Sequence, residues 1–288
     1  MLQRGDKVGI VCCSNGQKEE AKEKLTVLDG VLRGLDLCPV WSRHIFAKEN
    51  EASGTAKERA GSLMDFYRAE EIKAIFDISG GDIANEILPY LDFDIIAKAD
   101  KEFWGYSDLT IMLNAIYTKT QKTSVLYQVR NLIYLYSEKQ VPDFEGYVFS
   151  GKKDLFIFPY RFVRGKELEG IVVGGNIRCL LKLAGTEYFP DVTDKILLLE
   201  AMSGGVPQMI TYLSQLQQMG VFHKVRGILL GTFTKYEENV DYPPIEELVL
   251  QYVPEHLPIV KTQMIGHGSD SKAIRIGEKI CIGSNCII

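Results

Sequence analysis

Four polar segments directly follow apolar runs that are typical of strands: residues 79–82 (SGGD), residues 105–110 (GYSDLT), Glu200 and residues 266–268 (GHG). Ligands bind open α/β sheets at the carboxyl ends of the strands, so these positions can share one site. A serine, a histidine and a carboxylate are the side chains of nucleophilic acyl transfer. The four segments are therefore the candidates for a catalytic centre.

Ser107 stands where an aromatic strand runs into a helix with almost no loop. Such a turn exposes the hydroxyl and resembles a nucleophile elbow, although Leu109 replaces the second glycine of the G-x-S-x-G motif. The amide of Asp108 then lies at the helix N-terminus, where free N–H groups and the helix dipole favour an anion. A purely structural role also fits, because Ser and Asp are both good helix N-caps.

Paired glycines at positions 80 and 81 let the backbone approach a ligand and point its amides into a pocket. The amide of Gly81 is a candidate second donor for an oxyanion. The alternative is a strand-to-helix turn with Asp82 as its N-cap. The segment lacks the G-x-G-x-x-G pattern of a dinucleotide site, and the sequence shows no phosphate loop.

His267 lies between two glycines, which places it on a loop, and imidazole is the side chain best suited to moving protons near neutral pH. Glu200 ends a fully apolar strand, where burying a carboxylate is costly unless it is paired. Orienting a histidine would offset that cost. A loop histidine without a catalytic role and a salt bridge of Glu200 also fit the local sequence.

The elements that position these segments follow a β-α-β order, which predicts an α/β fold with a mostly parallel sheet and flanking helices, followed by a smaller C-terminal α/β domain. The predicted N-terminal strands are 8–13, 39–41, 74–78, 103–106 and 125–128. The predicted N-terminal helices are 18–35, 60–67, 83–91 and 108–120. Hairpin strands are predicted at 147–150 and 155–158. The later strands are predicted at 170–173, 196–199, 227–230, 258–265, 273–276 and 280–282. The later helices are predicted at 174–184, at 206–216 and from residue 243 onward. The predicted division is an N-terminal domain over residues 1–135, a linker over 136–165 and a C-terminal domain over 166–288.

The composition excludes several classes of protein. Hydrophobic residues make up 46% and charged residues 25% of the 288 residues, which excludes a disordered or fibrous chain. The net charge of −5 gives no general electrostatic reason to bind nucleic acid or an anionic membrane. No apolar stretch approaches the length of a membrane span, and no signal-peptide pattern is present. Six cysteines without a C-x-x-C pair predict no disulfide scaffold and no metal site, so we expect a cytoplasmic protein.

Taken together, the segments resemble the LD-carboxypeptidase family, which includes the immunity peptidases that inactivate the peptide-nucleotide antibiotic microcin C. The resemblance rests on residues 80–81, 105–108, 174–176, 199–200 and 266–268, with similar stretches at 175–191 and 220–231. It runs in order from Val8 to Ile282. It implies two domains with the active site between them, and a homodimer.

The resemblance implies a Ser-Glu-His triad in which Ser107 is the nucleophile, His267 the general base and Glu200 the residue that orients the base. The implied reaction is acyl transfer, with the backbone amides of Gly81 and Asp108 as the oxyanion hole. No metal or cofactor is implied.

The usual substrate of the resembled family is the L,D-amide of a cell-wall tetrapeptide, from which the terminal D-alanine is released. This implies a small peptide substrate and a cation that holds its carboxylate. Arg130 is the candidate cation, and Gly80 and Tyr106 are the other predicted substrate contacts.

Two segments depart from the family pattern, and both are expected near the pocket. Residues 125–130 lack the Gly-Pro pair that commonly follows this strand, and residues 12–16 lack a Ser-Pro-like end of the first strand. The substrate therefore stays open. One alternative is an immunity-type peptidase that cleaves an aminoacyl-nucleotide analogue, with Trp104 or Tyr106 stacked on a base. Another is a catalytically silent binding protein on the same scaffold.

Overall fold

The computed structural model describes residues 1–283, apart from the side chain of Glu49. Residues 284–288, which end the predicted second domain, lie outside the described residues. The strands are β1 Lys7–Val11, β2 Cys38–Trp41, β3 Ile72–Asp77, β4 Glu102–Gly105, β5 Ser124–Leu126, β6 Arg161–Arg164, β7 Glu167–Asn176, β8 Ile196–Ala201, β9 Gly227–Phe233, β10 Ile259–Lys261, β11 Ile274–Ile276 and β12 Lys279–Gly283. The helices are α1 Lys22–Gly34, α2 Ala56–Arg68, α3 Phe93–Lys98, α4 Thr110–Thr120, α5 Ser137–Ser150, α6 Ile177–Leu181, α7 Val206–Gln218, α8 Thr234–Glu237 and α9 Ile245–Leu250.

The strands form two six-stranded sheets, which confirms the predicted α/β fold. The first sheet has the order β11-β5-β4-β3-β1-β2, with β1 to β5 parallel. The second has the order β12-β7-β8-β9-β10-β6, with β7 to β10 parallel. The parallel strands read as continuous apolar runs because helices cover both faces of such sheets. Among the described residues, no helix combines the length and the apolar character that crossing a bilayer requires.

The C-terminal part of the chain returns to the first sheet. Strand β11 pairs antiparallel with β5, so that Ile274 lies opposite Leu126. The two sheets are therefore not divided at a single point of the sequence. The boundaries 1–135, 136–165 and 166–288 remain a prediction.

The hairpin strands predicted at 147–150 and 155–158 are wrong. Residues 147–150 form the last turn of α5, and residues 155–158 form the end of a turn and the start of an irregular segment. The aromatic and β-branched residues that suggest a strand here instead place Phe144 and Val148 on one helix face at i, i+4 spacing, where both are buried. Pro142 lies inside α5.

Three predicted elements are shorter in the structure or differ in type. The helix predicted at 83–91 is a 3₁₀ helix over Ala84–Tyr90, and Pro89 within it has no N–H to extend an α-helical ladder. The helix predicted at 174–184 is limited to α6. The strand predicted at 258–265 is limited to β10, after which the chain leaves the sheet as a loop.

Helix α4 lies between the two sheets, and this position explains its apolar sequence. Its residues from Thr110 to Tyr117 are all buried. Asn114 bonds β7 in both directions: its Nδ2 donates to the Gly174 carbonyl at 2.9 Å, and its Oδ1 accepts from the Gly174 amide at 2.8 Å. A Cβ on Gly175 would lie 2.7 Å from Thr110 Oγ1, so the glycine allows the close approach of β7.

The burial of α5 predicts a stability effect that a flexible linker would not show. Phe144 is fully buried beside Trp104, with ring centroids 5.6 Å apart. Replacing it (Phe144→Ala) is expected to lower the free energy of unfolding by about 3–5 kcal/mol through lost burial and a cavity. Leu135 is 83% exposed, so Leu135→Ala is the control. It should change the free energy of unfolding by less than about 0.5 kcal/mol. Urea unfolding measures both, and equal effects would contradict the packing of this segment.

Candidate active site

Ser107 lies on a sharp turn between β4 and α4. Its φ of +56° is in the left-handed region, which costs a non-glycine residue about 1–2 kcal/mol. The amide of Leu109 donates to the Tyr106 carbonyl at 2.9 Å and closes the turn. A Cβ on Gly105 would lie 2.7 Å from Leu109 Cβ, so only glycine allows the chain to fold back so tightly. The turn places a half-buried serine hydroxyl at the carboxyl end of the sheet.

His267 joins Ser107 to Glu200. Its Nε2 lies 3.1 Å from Ser107 Oγ, and its Nδ1 lies 2.8 Å from Glu200 Oε2. With an ionised Glu200, hydrogen-bond logic assigns the proton to Nδ1, which leaves Nε2 free to accept from the serine hydroxyl. The three side chains come from the first sheet, from β8 of the second sheet and from the loop after β10. The structure therefore brings all three predicted residues into one hydrogen-bonded chain.

The loop that carries His267 is held against β9. Gly266 has a φ of +153°, and a Cβ on it would lie 1.7 Å from Thr232 Oγ1, so no other residue fits here. The Gly266 carbonyl accepts from Ser271 Oγ at 2.7 Å. The imidazole of His267 also packs against the Tyr106 ring, at a centroid distance of 4.5 Å. These contacts restrict the orientation of the imidazole.

Glu200 is completely buried, and His267 is its side-chain partner. Its Oε1 has no hydrogen-bond partner among the described residues. A buried, half-satisfied carboxylate is costly, but it stabilises a positive charge that forms on the adjacent imidazole. The environment of Glu200 is therefore suited to a histidine that accepts a proton during a reaction.

The peptide planes on both sides of Gly81 are held by hydrogen bonds. The Gly80 carbonyl accepts from the Asn15 amide at 3.0 Å, and the Gly81 carbonyl accepts from Arg178 Nη2 at 2.9 Å. In a trans peptide the N–H points opposite to the preceding C=O, so the Gly81 N–H points away from the Asn15 amide. Gly80 itself passes beside the nucleophile turn, since a Cβ on it would lie 3.8 Å from Ser107 Cβ.

The side chain of Asp108 joins this loop to the second half of the chain. It is fully buried, and its Oδ2 accepts from Ser14 Oγ at 2.7 Å and from the Ala84 amide at 2.8 Å. Its Oδ1 accepts from Lys182 Nζ at 2.6 Å, and the same ammonium donates to the Asp82 carbonyl at 2.8 Å. The local sequence also allowed Asp108 to be a side-chain N-cap of the following helix. In the structure its side chain is instead the centre of a buried polar network.

Sequence reasoning missed the side chains that support the site. Besides Lys182 and Arg178, they include Asn15, whose Oδ1 accepts from the Asp82 amide, and Asp77, which accepts from the Cys13 and Ser79 amides. Burial raises the pKa of Asp77, and these hydrogen bonds oppose the rise. The one sequence signal was a carboxylate at the end of an apolar strand, the same signal that pointed to Glu200.

Tyr106 and Trp104 occupy different environments. Trp104 lies in the core, with its ring centroid 5.5 Å from that of Phe76, so it has no exposed face. Tyr106 is 5% exposed, and its hydroxyl has no partner among the described residues. Burial and the charge of Glu200 raise the pKa of Tyr106 well above its ordinary value, so the hydroxyl stays protonated.

Arg130 follows β5 and reaches the loop that follows β1. Its Nη1 donates to Gln17 Oε1 at 3.0 Å. Among the described residues, no group of three or more His, Cys, Asp or Glu side chains is arranged to hold a metal ion.

Comparison with known families shows to which family the chain belongs. Residues 8–127 match the model of the LD-carboxypeptidase N-terminal domain, and residues 169–282 match that of the LD-carboxypeptidase C-terminal domain. The chain belongs to the LD-carboxypeptidase family. Ser107 lies in the region matched by the first model of this peptidase family, and Glu200 and His267 lie in the region matched by the second.

Individual relatives in the LD-carboxypeptidase family carry two kinds of name. The probable murein peptide carboxypeptidase of Bacillus subtilis (strain 168) is 28% identical over 300 residues, which cover 98% of this chain and 90% of that protein. The microcin C7 self-immunity protein MccF of Escherichia coli is 26% identical over 264 residues, which cover 80% of this chain and 76% of that protein.

Solved structures show the same fold. The MccF-like protein from Bacillus anthracis str. Ames has a TM-score of 0.85 at 28% identity, covering 98% of this chain and 94% of that one. The muramoyltetrapeptide carboxypeptidase from Oxalobacter formigenes has a TM-score of 0.81 at 21% identity, covering 96% and 95%. The second likeness, at this identity, supports the fold alone.

The Asp108–Lys182 pair predicts a large stability effect for one substitution directly after α6. Lys182→Met leaves the buried Asp108 without its cation and is expected to lower the free energy of unfolding by about 2–4 kcal/mol. Lys235→Met is the control, because Lys235 pairs with Glu238 where both side chains are more than half exposed, and it should have little effect. Urea unfolding compares the two variants. A Lys182→Met variant as stable as Lys235→Met would show that the pair is not needed.

Proposed function

We propose that this protein is a serine peptidase that hydrolyses the L,D-amide bond of a cell-wall-derived tetrapeptide and releases the terminal D-alanine. The observation that carries the proposal is the hydrogen-bonded chain from Ser107 through His267 to Glu200. The names of relatives in the murein peptide carboxypeptidase group support the substrate class. No cofactor enters the proposed reaction.

The first half of the reaction forms an acyl-enzyme. His267 Nε2 takes the proton of the Ser107 hydroxyl as its Oγ attacks the amide carbonyl, and Glu200 stabilises the resulting imidazolium. The amides of Gly81 and Asp108 are the proposed donors to the oxyanion, and removing one such donor typically costs about 10²–10³ in rate. His267 then donates its proton to the leaving nitrogen, the C–N bond breaks, and the amine departs.

The second half restores the enzyme. His267 Nε2 takes a proton from water, whose oxygen attacks the ester carbonyl of acylated Ser107. The tetrahedral intermediate collapses, the C–Oγ bond breaks, and the proton returns from His267 to Ser107 Oγ. The products are the shortened peptide acid and the free amino acid.

The second candidate function is the cleavage of an aminoacyl-nucleotide analogue. It is favoured by the similarity to MccF, whose structure was solved in complex with glutamyl sulfamoyl guanosine. Base stacking by Trp104 would support it, but Trp104 is buried in the core, and Tyr106 packs against His267. We therefore favour the peptide substrate. Mass spectrometry of the protein incubated with a muropeptide tetrapeptide and with an aminoacyl-sulfamoyl adenylate separates the two functions, and no product from either would indicate a silent binding protein.

A cytoplasmic location and a homodimeric state are also part of the proposal, since both are implied by the family resemblance. Cell fractionation and light scattering of the purified protein test them.

Removing the proposed nucleophile is expected to abolish activity without loss of stability. Ser107→Ala should lower turnover of the L,D-tetrapeptide by a factor on the order of 10⁴ or more, because no other group can form the ester. The melting temperature should change little, since alanine keeps the backbone of the turn. Ser203, an exposed serine three residues after Glu200, provides the control Ser203→Ala with full activity. Full turnover by Ser107→Ala would exclude Ser107 as the nucleophile.

Removing the proposed base should have a similar effect on the rate. His267→Ala is expected to lower kcat by a factor on the order of 10⁴, because Ser107 then keeps its proton. The exposed His256 provides the control His256→Ala. Steady-state kinetics measures both variants, and unchanged kcat in His267→Ala would remove His267 from the mechanism.

A further inference from the structure

The guanidinium of Arg130 has no counter-ion in the part of the chain that the structure describes. Arg130 is half-buried, and its side chain makes one hydrogen bond, from Nη1 to Gln17 Oε1. Its Nε is buried and has no hydrogen-bond partner among the described residues. An unpaired, partly desolvated cation is costly unless something offsets the loss of water. An anionic ligand would provide that compensation.

Three other partly or fully buried cations of the described residues are each paired with a carboxylate. Lys182 pairs with Asp108, Arg178 with Asp82, and Lys261 with Glu237. Arg130 differs from them because it keeps free donors in the region of the proposed catalytic residues.

Two independent connections place Arg130 near the nucleophile. Gln17, which accepts from Arg130, donates through Nε2 to the Ile78 carbonyl at 2.9 Å, two residues before Gly80, which lies beside Ser107. Tyr106 directly precedes Ser107, and the positive charge of Arg130 opposes the rise in the pKa of Tyr106. Arg130 is therefore close enough to Tyr106, the residue before the nucleophile, for its charge to act on the Tyr106 hydroxyl.

The free donors in this region match an acceptor-only ligand. The Tyr106 hydroxyl is buried and protonated, and neither it nor Arg130 Nε has a hydrogen-bond partner within residues 1–283 as described. An ionised carboxylate accepts several hydrogen bonds and donates none, and a guanidinium presents paired N–H groups that fit its two oxygens. A neutral amide, which carries its own N–H donors, fits these groups less well.

We propose that Arg130 binds a carboxylate of the substrate beside the scissile amide, and so makes the enzyme selective for acidic substrates. The effect on the reaction rests on the proposed function, whereas the binding of a carboxylate by Arg130 does not. The carboxylate has two possible sources: the terminal carboxylate of the leaving amino acid, and a side-chain carboxylate of the acyl group. The shared chemistry is one carboxylate in contact with one guanidinium.

The first experiment measures binding and needs no catalysis. N-acetyl-D-alanine and its C-terminal amide test the leaving-group source, and glutamyl- and glutaminyl-sulfamoyl adenosine test the acyl source. Ser107→Ala protein, titrated with each ligand by calorimetry or ligand-observed NMR, should bind the acid of one pair at least about tenfold more tightly than its neutral partner. The pair that shows the preference identifies the source.

Variants of Arg130 then assign the preference to this side chain. Arg130→Met, which keeps the aliphatic stem, should remove the preference, and Arg130→Lys, which keeps the charge but loses the paired N–H groups, should reduce it. Arg164→Met is the matched control, because Arg164 is also partly buried but bonds the Leu257 and Pro254 carbonyls. Circular dichroism checks that each variant is folded. If Arg130→Met does not fold, the binding measured for Arg130→Lys decides the assignment.

The outcomes that overturn the proposal are distinct from failure of the proposed function. Equal binding of acid and neutral ligand in both pairs, no binding of any acid, or an acid preference that survives in the Arg130 variants would each overturn it. An Arg130-dependent preference in a protein that cleaves neither peptide nor adenylate would retain the carboxylate site and reject the hydrolase. In an active enzyme, Arg130→Met should lower kcat/KM for the tetrapeptide acid by at least about tenfold if the leaving group is the source, with no matching loss for its C-terminal amide.

Discussion

A carboxylate that is fully buried and half-satisfied is the constraint around which this protein is organised. Glu200 ends an apolar strand of the second sheet, and His267 is the side chain that meets it. The energetic cost of that burial is lowest when the imidazole stays in place and can carry a positive charge. The imidazole in turn reaches Ser107 of the first sheet. One electrostatic requirement thus links a strand end, a loop and a strained turn that are far apart along the chain.

The contact between the two sheets makes this linkage rigid. Helix α4 begins immediately after the nucleophile turn and is buried between the sheets, where Asn114 bonds Gly174 through both its donor and its acceptor. Nearby, Lys182 reaches from the second half to the buried Asp108 and to the loop that carries the proposed oxyanion donor. Polar groups buried in such a network cost free energy when any member is unpaired, so the network favours one relative position of the two halves. The proposed catalytic groups are therefore held in place before a substrate binds.

The two segments that depart from the family pattern are connected to this centre and to each other. In residues 12–16, Asn15 Oδ1 accepts from the Asp82 amide and Ser14 Oγ from the Ile83 amide, just after Gly81. Residues 125–130 end at Arg130. Gln17 directly follows the first segment, and Arg130 ends the second. Their side chains are joined by a hydrogen bond. The chain thus has the hydrogen-bonded Ser107, His267 and Glu200 that the family resemblance implies, while these two neighbouring segments differ from the family pattern. This separation is physically reasonable, because the relay depends on contacts across the sheets, whereas selectivity depends on loops at their edge.

The sequence by itself determined the α/β class, most of the strands and the identity of the family, because apolar strand runs and residues at strand ends are local features that short segments carry. It also pointed to Ser107, Glu200 and His267, through the chemistry of their residue types at strand ends and through the family resemblance. Only the tertiary structure decided that the three side chains touch, that the region after residue 136 is a packed helix instead of hairpin strands, and that β11 returns to the first sheet. Only it revealed the partners of Asp108 and showed that Arg130 Nε has no partner in the described part of the chain. These are properties of contacts between residues distant in sequence, and no local pattern encodes which buried charge meets which.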